Sequence, residues 1–233
     1  MAGVSDLEAA ASALESCQWL EGHGIDLRGR LLSEGRLRRL LPGQWVFAEG
    51  DDSGGIVTVI SGTVQVYAQA IGDREVLLSQ MGRGGTIGQS VRFGGGPRLV
   101  TAISLGDSLI LQAGDDALEA IARQEPLIWK AVASLHYAQL RGLVQMIAEF
   151  ASLRPRQRLA ARLVRFAQGH EPLRLLALAQ QDLADMTGLS RKTVNASLSD
   201  LEAKGLIRRK YAAIEIVDLV GLQAYASAAQ WSE

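Results

Sequence analysis

Residues 180–210 read QQDLADMTGLSRKTVNASLSDLEAKGLIRRK, and the apolar spacing in this stretch sets the architecture of the C-terminal part. Leu183, Met186, Leu189, Val194, Leu198 and Leu201 fall into two helical sets around Thr187-Gly188-Leu189. Gly188 stands where a helix must end and turn sharply, which a residue without Cβ does at least steric cost. Ser190 offers a hydroxyl to cap the helix that follows. That helix opens with Arg191, Lys192, Thr193 and Asn195, all able to reach outward, while Val194, Leu198 and Leu201 form its inward face. Two short helices joined by a tight glycine turn, the second opening with donors suited to base edges and phosphates, read as a helix-turn-helix. A helical hairpin with a solvated charged face has the same spacing and stands as the alternative. Lys204-Gly205 ends the second helix. Residues 206–210 and 214–217 then read as two short strands of a wing, whose basic end suits a phosphate backbone.

Working outward, 233 residues are enough for two modest domains with real cores. A chain that is 48% hydrophobic and 21% charged folds rather than staying disordered. The net charge of -1 announces no polyanionic partner, so any nucleic-acid charge must be local. The cluster Arg191, Lys192, Lys204, Arg208, Arg209 and Lys210 is local in that sense. A single cysteine, Cys17, excludes an internal disulfide framework and a multi-cysteine zinc or iron–sulfur site within one chain. No apolar run is long enough to span a bilayer, and residues 1–18 lack the basic-then-apolar pattern of a signal peptide. A cytoplasmic protein without membrane attachment is expected.

Along the chain, residues 6–20 read as a helix with Leu7, Ala10, Leu14 and Cys17 on one face. In 22–39 the residues Arg28, Arg30, Arg36, Arg38 and Arg39 read as a solvated basic face. From 40 to 113 short β-prone runs (44–48, 56–60, 63–67, 75–80 and 99–104) alternate with glycine turns, the pattern of an antiparallel barrel or roll. Val57, Val59, Val64 and Val66 are its candidate inward positions. One loop, 88–98, combines glycines with Arg98. The amides of residues 94–96 with Arg98 suit a phosphate, and a glycine-rich hairpin with a solvated arginine fits the same residues. After Asp115 the chain reads as helical: residues 117–124 are one turn-rich piece, and Pro126 suits the first turn of a new helix. Over 127–150, Trp129, Ala133, His136, Leu140, Leu143, Ile147 and Phe150 recur in steps of four and three, the seam of a two-stranded coiled coil. A flanking row of Val132, Leu135 and Met146 is expected to pack on the roll, and His136 reads as a packed polar residue rather than a metal ligand. Arg154-Pro155 breaks this helix. An amphipathic helix over 156–168, a short strand over 173–176 and a closing helix over 218–226 complete the pattern.

In this order the pieces resemble the CRP/FNR family of bacterial transcription regulators from about residue 40 onward. Three stretches carry the resemblance: Phe47-Ala48-Glu49-Gly50-Asp51 with Ser61-Gly62; the loop 88–98; and Leu189-Ser190-Arg191-Lys192-Thr193-Val194-Asn195 with Leu198, Leu201 and Glu202. The resemblance implies an α+β fold: a β-roll sensor domain of the cyclic-nucleotide-binding type with an N-terminal helix (1–125), a dimerisation helix (126–154) and a winged helix-turn-helix (155–233). It implies that Arg191, Lys192 and Asn195 face base edges while Ser190, Thr193 and Gln181 hold phosphates. It places an effector at Gly88, Gln89, Arg98 and Leu99, and a dimer interface at Leu140, Leu143 and Ile147.

The chain departs from the family's cAMP-binding members in several places. Gln89 stands where they have glutamate, and Leu99 where they have serine or threonine. Leu143 and Val144 occupy, by spacing from Arg98, the positions of the hydroxyls offered to the purine. Lys192 stands where the family often has a cytosine-reading glutamate, and Ala196 where a second base-reading arginine occurs. The oxygen-sensing branch needs several cysteines, and a haem sensor needs His or Cys in the roll, where residues 40–113 have neither. The expectation is a homodimeric, sequence-specific DNA-binding regulator that does not depend on cAMP. Its partners would be duplex DNA carrying a pseudo-palindromic operator, a second copy of itself and, from the family, RNA polymerase. The other reading is a nucleotide-binding module controlling a partner protein, which leaves the basic C-terminal helices without a role. No nucleophile–base–acid set and no metal-ligand spacing is present, so neither catalysis nor a metal is expected. The only small-molecule expectation is a nucleotide or other anionic effector.

Overall fold

The computed structural model describes residues 4–22, 26–72, 74–89, 96–168, 175–211 and 213–228. Packing divides the chain into two units, Met1–Arg141 and Gly142–Glu233, with one 25-residue helix contributing to both.

Among the described residues the first unit carries eight strands: β1 (Arg36–Leu40), β2 (Trp45–Phe47), β3 (Ile56–Ser61), β4 (Val64–Ala70), β5 (Arg74–Met81), β6 (Thr86–Ile87), β7 (Thr101–Ser104) and β8 (Ser108–Ala113). They form two antiparallel four-stranded sheets with orders β1-β8-β3-β6 and β2-β7-β4-β5. The helices are α1 (Val4–Glu15), α2 (Leu27–Glu34), α3 (Asp115–Gln124) and the first part of α4 (Ile128–Ser152).

β3 shows why this unit folds as it does. Side chains alternate across a strand, so Val57 and Val59 face one way and Ile56 and Ile60 the other. Val57 and Val59 bury with Leu40, Phe47, Val64, Ala102 and Ile110 from both sheets. Ile56 and Ile60 bury with Leu14 of α1, Leu31 of α2, Ile121 of α3 and Val132 of α4. Each such burial contributes about 1.5–3 kcal/mol. A strand covered on both faces reads as a near-continuous apolar run, and Ile56–Ile60 is broken only by Thr58, which is buried with its hydroxyl 3.0 Å from that of Thr86. All four expected inward valines, Val57, Val59, Val64 and Val66, are buried.

The structure corrects several details. The first helix stops at Glu15, and a short 3-10 turn (Gln18–Leu20) buries Trp19, whose indole donates to Thr86 Oγ1 at 3.1 Å. Cys17 is buried beside it, with Sγ 3.3 Å from the Gly84 carbonyl, and burial pushes its thiol up. Of the arginines of 36–39, Arg36 and Arg39 are exposed, as expected of a solvated face, and Arg38 is half-buried. They sit on an edge strand, β1, where Arg38 donates to Gln112 at 2.8 Å and Arg39 to Asp6 at 2.6 Å. Charged residues are suited to such an edge because they oppose pairing with another chain. β6 and β8 had no counterpart among the expected strands, whereas the change to helix expected after Asp115 is present as a regular helix over 115–124.

α4 ends at Ser152, just before Arg154-Pro155, as the pre-proline restriction requires. Val132 and Leu135 bury against the roll's helical side, as expected. Met146 does not join that row as expected; in the second unit its Sδ lies 2.9 Å from Arg162 Nη1. His136 is a packed polar residue, with Nδ1 3.1 Å from the Val132 carbonyl.

The second unit also contains α5 (Pro155–Gln168), β9 (Leu175–Leu176), α6 (Gln180–Thr187), α7 (Arg191–Ala203), β10 (Ile207–Lys210), β11 (Ala213–Ile216) and α8 (Leu219–Ser227). The strands form one antiparallel sheet of order β10-β11-β9. Gly169 and residues 173–174, included in the sequence reading, lie outside the described residues. Leu159, Leu163 and Phe166 of α5 are buried, as are Leu183, Met186, Val194, Leu198 and Leu201 of the two helices that follow. Arg162 is buried among them, with Nε 3.4 Å from Met186 Sδ. Burial lowers its pKa to about 10.

Candidate nucleic-acid interface and effector loop

Gly188 takes φ 66°, and its amide closes α6 by donating to the Ala184 carbonyl. A Cβ there would meet nothing within 4 Å, so the dihedral and not crowding selects glycine. Two residues later Ser190 caps α7. Its Oγ accepts from the Thr193 amide at 3.1 Å and lies 2.9 Å from the Thr193 hydroxyl. The cap fixes where α7 begins, and so fixes what its first turn presents. Arg191 and Lys192 are exposed, with no hydrogen bond or ion pair to any described residue. Asn195 and Thr193 are half-buried on the same turns, and Ser190 is exposed. Gln181, exposed at the start of α6, donates to Asp185 at 2.9 Å. The six residues singled out for DNA contact therefore lie on the turn and the first turns of two adjoining helices.

The wing differs from the recognition helix. Arg209 Nε is 2.7 Å from Glu202 Oε2, while Arg208 and Lys210 share Glu215 at 3.1 and 3.0 Å. These cations already have carboxylate partners, so the basic end of the wing expected to suit a phosphate backbone is partly neutralised within the domain. Tyr211 at the end of β10 is fully exposed.

In the effector loop, residues 90–95 lie outside the described residues, so of the expected amides of 94–96 only that of Gly96 is described. Arg98 is 2% exposed, not solvated. Its Nη1 donates to the carbonyls of Gly88 and, at 3.3 Å, Gly55; its Nη2 donates to Gly54 at 3.0 Å. The guanidinium lies 4.3 Å from the Phe47 ring centroid. Burial pushes its pKa down, partly offset by Asp115 and Asp51. Gly88 has φ 106°, and a Cβ there would come within 2.5 Å of Arg98 Nη1. Gln89 is buried, and its Nε2 donates to Gln139 Oε1 on α4; Gln139 Nε2 in turn donates to the Thr86 carbonyl at 3.1 Å. Leu99 points outward at 68% exposure. Gln139, Phe47 and the Gly54-Gly55 carbonyls thus surround the expected effector residues; Phe47 stood in a stretch that carries the family resemblance, but no contact of these groups with Arg98 or Gln89 was expected. Among the described residues no group of His, Cys, Asp or Glu is arranged to hold a metal, and no helix is long and apolar enough to cross a membrane.

Residues 157–225 match the Crp-like helix-turn-helix domain and residues 37–125 the cyclic nucleotide-binding domain. The CRP-like cAMP-activated global transcriptional regulator of Mycobacterium tuberculosis is 30% identical over 182 residues, covering 76% of this chain and 81% of that protein. The cyclic AMP receptor protein of Thermus thermophilus is 28% identical over 191 residues, 81% of this chain and 88% of that one. The structure of FixK2 from Bradyrhizobium japonicum superposes with a TM-score of 0.70 at 18% identity, over 84% of this chain and 98% of that chain, and so shows the fold alone. The two matched domains coincide with the roll and with the capped helix-turn-helix, and a relative at this identity spans most of both: the chain belongs to the CRP/FNR family of DNA-binding transcription regulators.

Proposed function

We propose that this chain works as a homodimer that reads a pseudo-palindromic DNA operator without needing cAMP, in the cytoplasm and with no catalytic step of its own. The observation that carries the DNA part is the start of α7. A serine cap presents Arg191 and Lys192 to solvent, unpaired, on the helix whose other face is buried. Arg191 suits the O6 and N7 of guanine as a bidentate donor, Lys192 and Asn195 suit neighbouring base edges, and Ser190, Thr193 and Gln181 suit phosphates.

The dimer rests on α4, where Leu140, Leu143, Val144 and Ile147 are 59%, 48%, 58% and 67% exposed. An apolar stripe of this kind, on a four-and-three spacing, calls for a second copy. The independence from cAMP rests on the loop. Arg98 gives its terminal donors to three carbonyls, Gln89 is tied to Gln139, and Leu99 faces outward. Arg98 Nε and Gln89 Oε1 keep no hydrogen-bond partner among the described residues, but the terminal guanidinium donors are engaged and the family's carboxylate and hydroxyls are absent, although the relatives named above are a cAMP-activated regulator and a cyclic AMP receptor. Another anionic effector, with RNA polymerase as a downstream partner, stays within this reading.

The test is selection of duplexes from a random pool, followed by anisotropy titration with and without cAMP. The expected product is a pseudo-palindrome with half-site centres about 34 Å apart. It should bind at least about 10³-fold tighter than random duplex without cAMP. Equal affinity for the selected and random duplexes would remove the sequence-specific reading. Strict dependence on cAMP would remove the effector-free one.

A further inference from the structure

Beside the recognition helix, the second unit holds a cavity of about 530 Å3 whose lining includes Arg154, Arg156, Thr193, Asp200, Lys204 and Tyr225. Three cations and one carboxylate thus share it. Asp200 is occupied within the domain: it accepts from the Tyr225 hydroxyl at 2.9 Å and lies 3.3 Å from Lys204 Nζ. Arg156 reaches it only at 3.9 Å and is exposed, and Arg154 is exposed with no ion pair to any described residue. The basin keeps an excess of positive charge that nothing described in the domain neutralises. Its place on α7 says what it faces. Thr193, Asp200 and Lys204, spaced by seven and four, lie on one side of the helix, running from Thr193 on the turn that carries Arg191 and Lys192 to Lys204 at its C-terminal cap. A helix laid in a major groove with Arg191 on the base edges turns this flank toward a sugar–phosphate backbone.

We infer that Arg154 and Arg156, together with Lys204, hold phosphates of the DNA strand that runs along this flank, so that the footprint extends beyond the recognition helix onto the start of α5. This rests on the reading of the chain as a DNA-binding regulator. The partner is duplex DNA and the contact is blind to sequence, since guanidinium and ammonium groups here meet only backbone oxygens. Arg154 and Arg156 therefore contribute to affinity and its salt dependence, and leave discrimination to α7.

The experiment measures log Kd against log salt for the wild-type protein and for Arg154→Gln and the Arg154→Gln/Arg156→Gln pair, on the selected operator and on random duplex of equal length. Thermal melts check the fold; Arg154 has no described side-chain partner to lose. Each lost phosphate contact is expected to make the slope shallower by about 0.9, with affinity falling by a similar factor on both duplexes. Asp200→Asn, which removes the carboxylate, is expected to tighten binding to both at low salt. Unchanged slopes in the double variant, a loss confined to the operator, or weaker binding by a normally melting Asp200→Asn would each overturn this inference and leave the regulator reading standing. Failure of the wild-type protein to bind either duplex at low salt would overturn both.

Discussion

The guanidinium of Arg98 feeds the carbonyls of Gly54, Gly55 and Gly88 from inside the roll. A charged donor set buried on backbone acceptors is costly to remove, because the acceptors stay behind without partners. Arg98→Ala is expected to lower stability by at least about 1–3 kcal/mol in chemical denaturation, where a solvated arginine would cost less than about 0.5 kcal/mol. Arg191 sits at the other extreme, exposed and without a described partner. Arg191→Ala is expected to leave the melting temperature unchanged and to cost about 1–3 kcal/mol on the operator, with much less lost on random duplex. Equal loss on both would make Arg191 a phosphate contact only. The two arginines also mark what was legible. Gly188, Ser190 and Arg191 act through neighbours one to four residues away, so turn, cap and exposed side chain could be read from local spacing. The partners of Arg98 at Gly54 and Gly55 lie more than forty residues earlier in the chain, and no local pattern joins them. Its burial emerges only once β3 and the 88–98 loop are brought together.

At the scale of elements, apolar periodicity located α4 within two residues at its C-terminal end but could not say which apolar residues meet their own chain. Trp129, assigned to the seam, packs against the core formed by α1, α2 and α3. Leu140, Leu143 and Ile147 meet solvent in the single chain. Leu143→Glu should place a charge in the proposed two-fold seam of each subunit, and sedimentation at micromolar concentration is expected to show monomer. A variant that stays dimeric would put the interface elsewhere. β1 escaped notice because its arginines serve an edge strand, where charge and solvation look alike in sequence. The wing supplies a pH prediction. A backbone hydrogen bond from Arg209 holds the Glu202 carboxyl below the ordinary 4.5, and one from the Lys210 side chain does the same for Glu215. The Tyr225 hydroxyl acts likewise on Asp200, whose ordinary value is 3.8. Groups depressed on folding stabilise above their unfolded values and lose that contribution as pH falls through the folded ones. The melting temperature is therefore expected to respond little to these groups between pH 7 and 5 and to lose their contribution below about 4.5. The effect is small because the Glu pairs are exposed. A Glu202→Gln/Glu215→Gln variant should show a shallower acid decline, and an unaltered decline would assign it to other carboxylates.

At the scale of the molecule, a net charge of -1 leaves long-range attraction to DNA weak, so affinity must come from local cations and answer steeply to salt. In the proposed homodimer two recognition helices would engage both half-sites at once, which makes spacing a requirement. Inserting five base pairs between operator half-sites turns one half-site about half a turn away, and binding is expected to fall toward the level of random duplex. Retained affinity would mean that each subunit binds alone. The order of roll, long helix and winged domain was readable because each has its own period and punctuation; the four-and-three spacing on α4 also suggested a second copy, and its exposed stripe in the single chain leaves that assembly a proposal. One further property follows from the lone thiol. Cys17 is the chain's single cysteine, buried beside the Gly84 carbonyl with its ionisation suppressed. A thiol reagent can therefore react quickly only when the region around Cys17 opens, and the labelling rate becomes a clock for that opening. An effector that tightens the roll, whatever its chemistry, would slow that clock without any need to know in advance what it is.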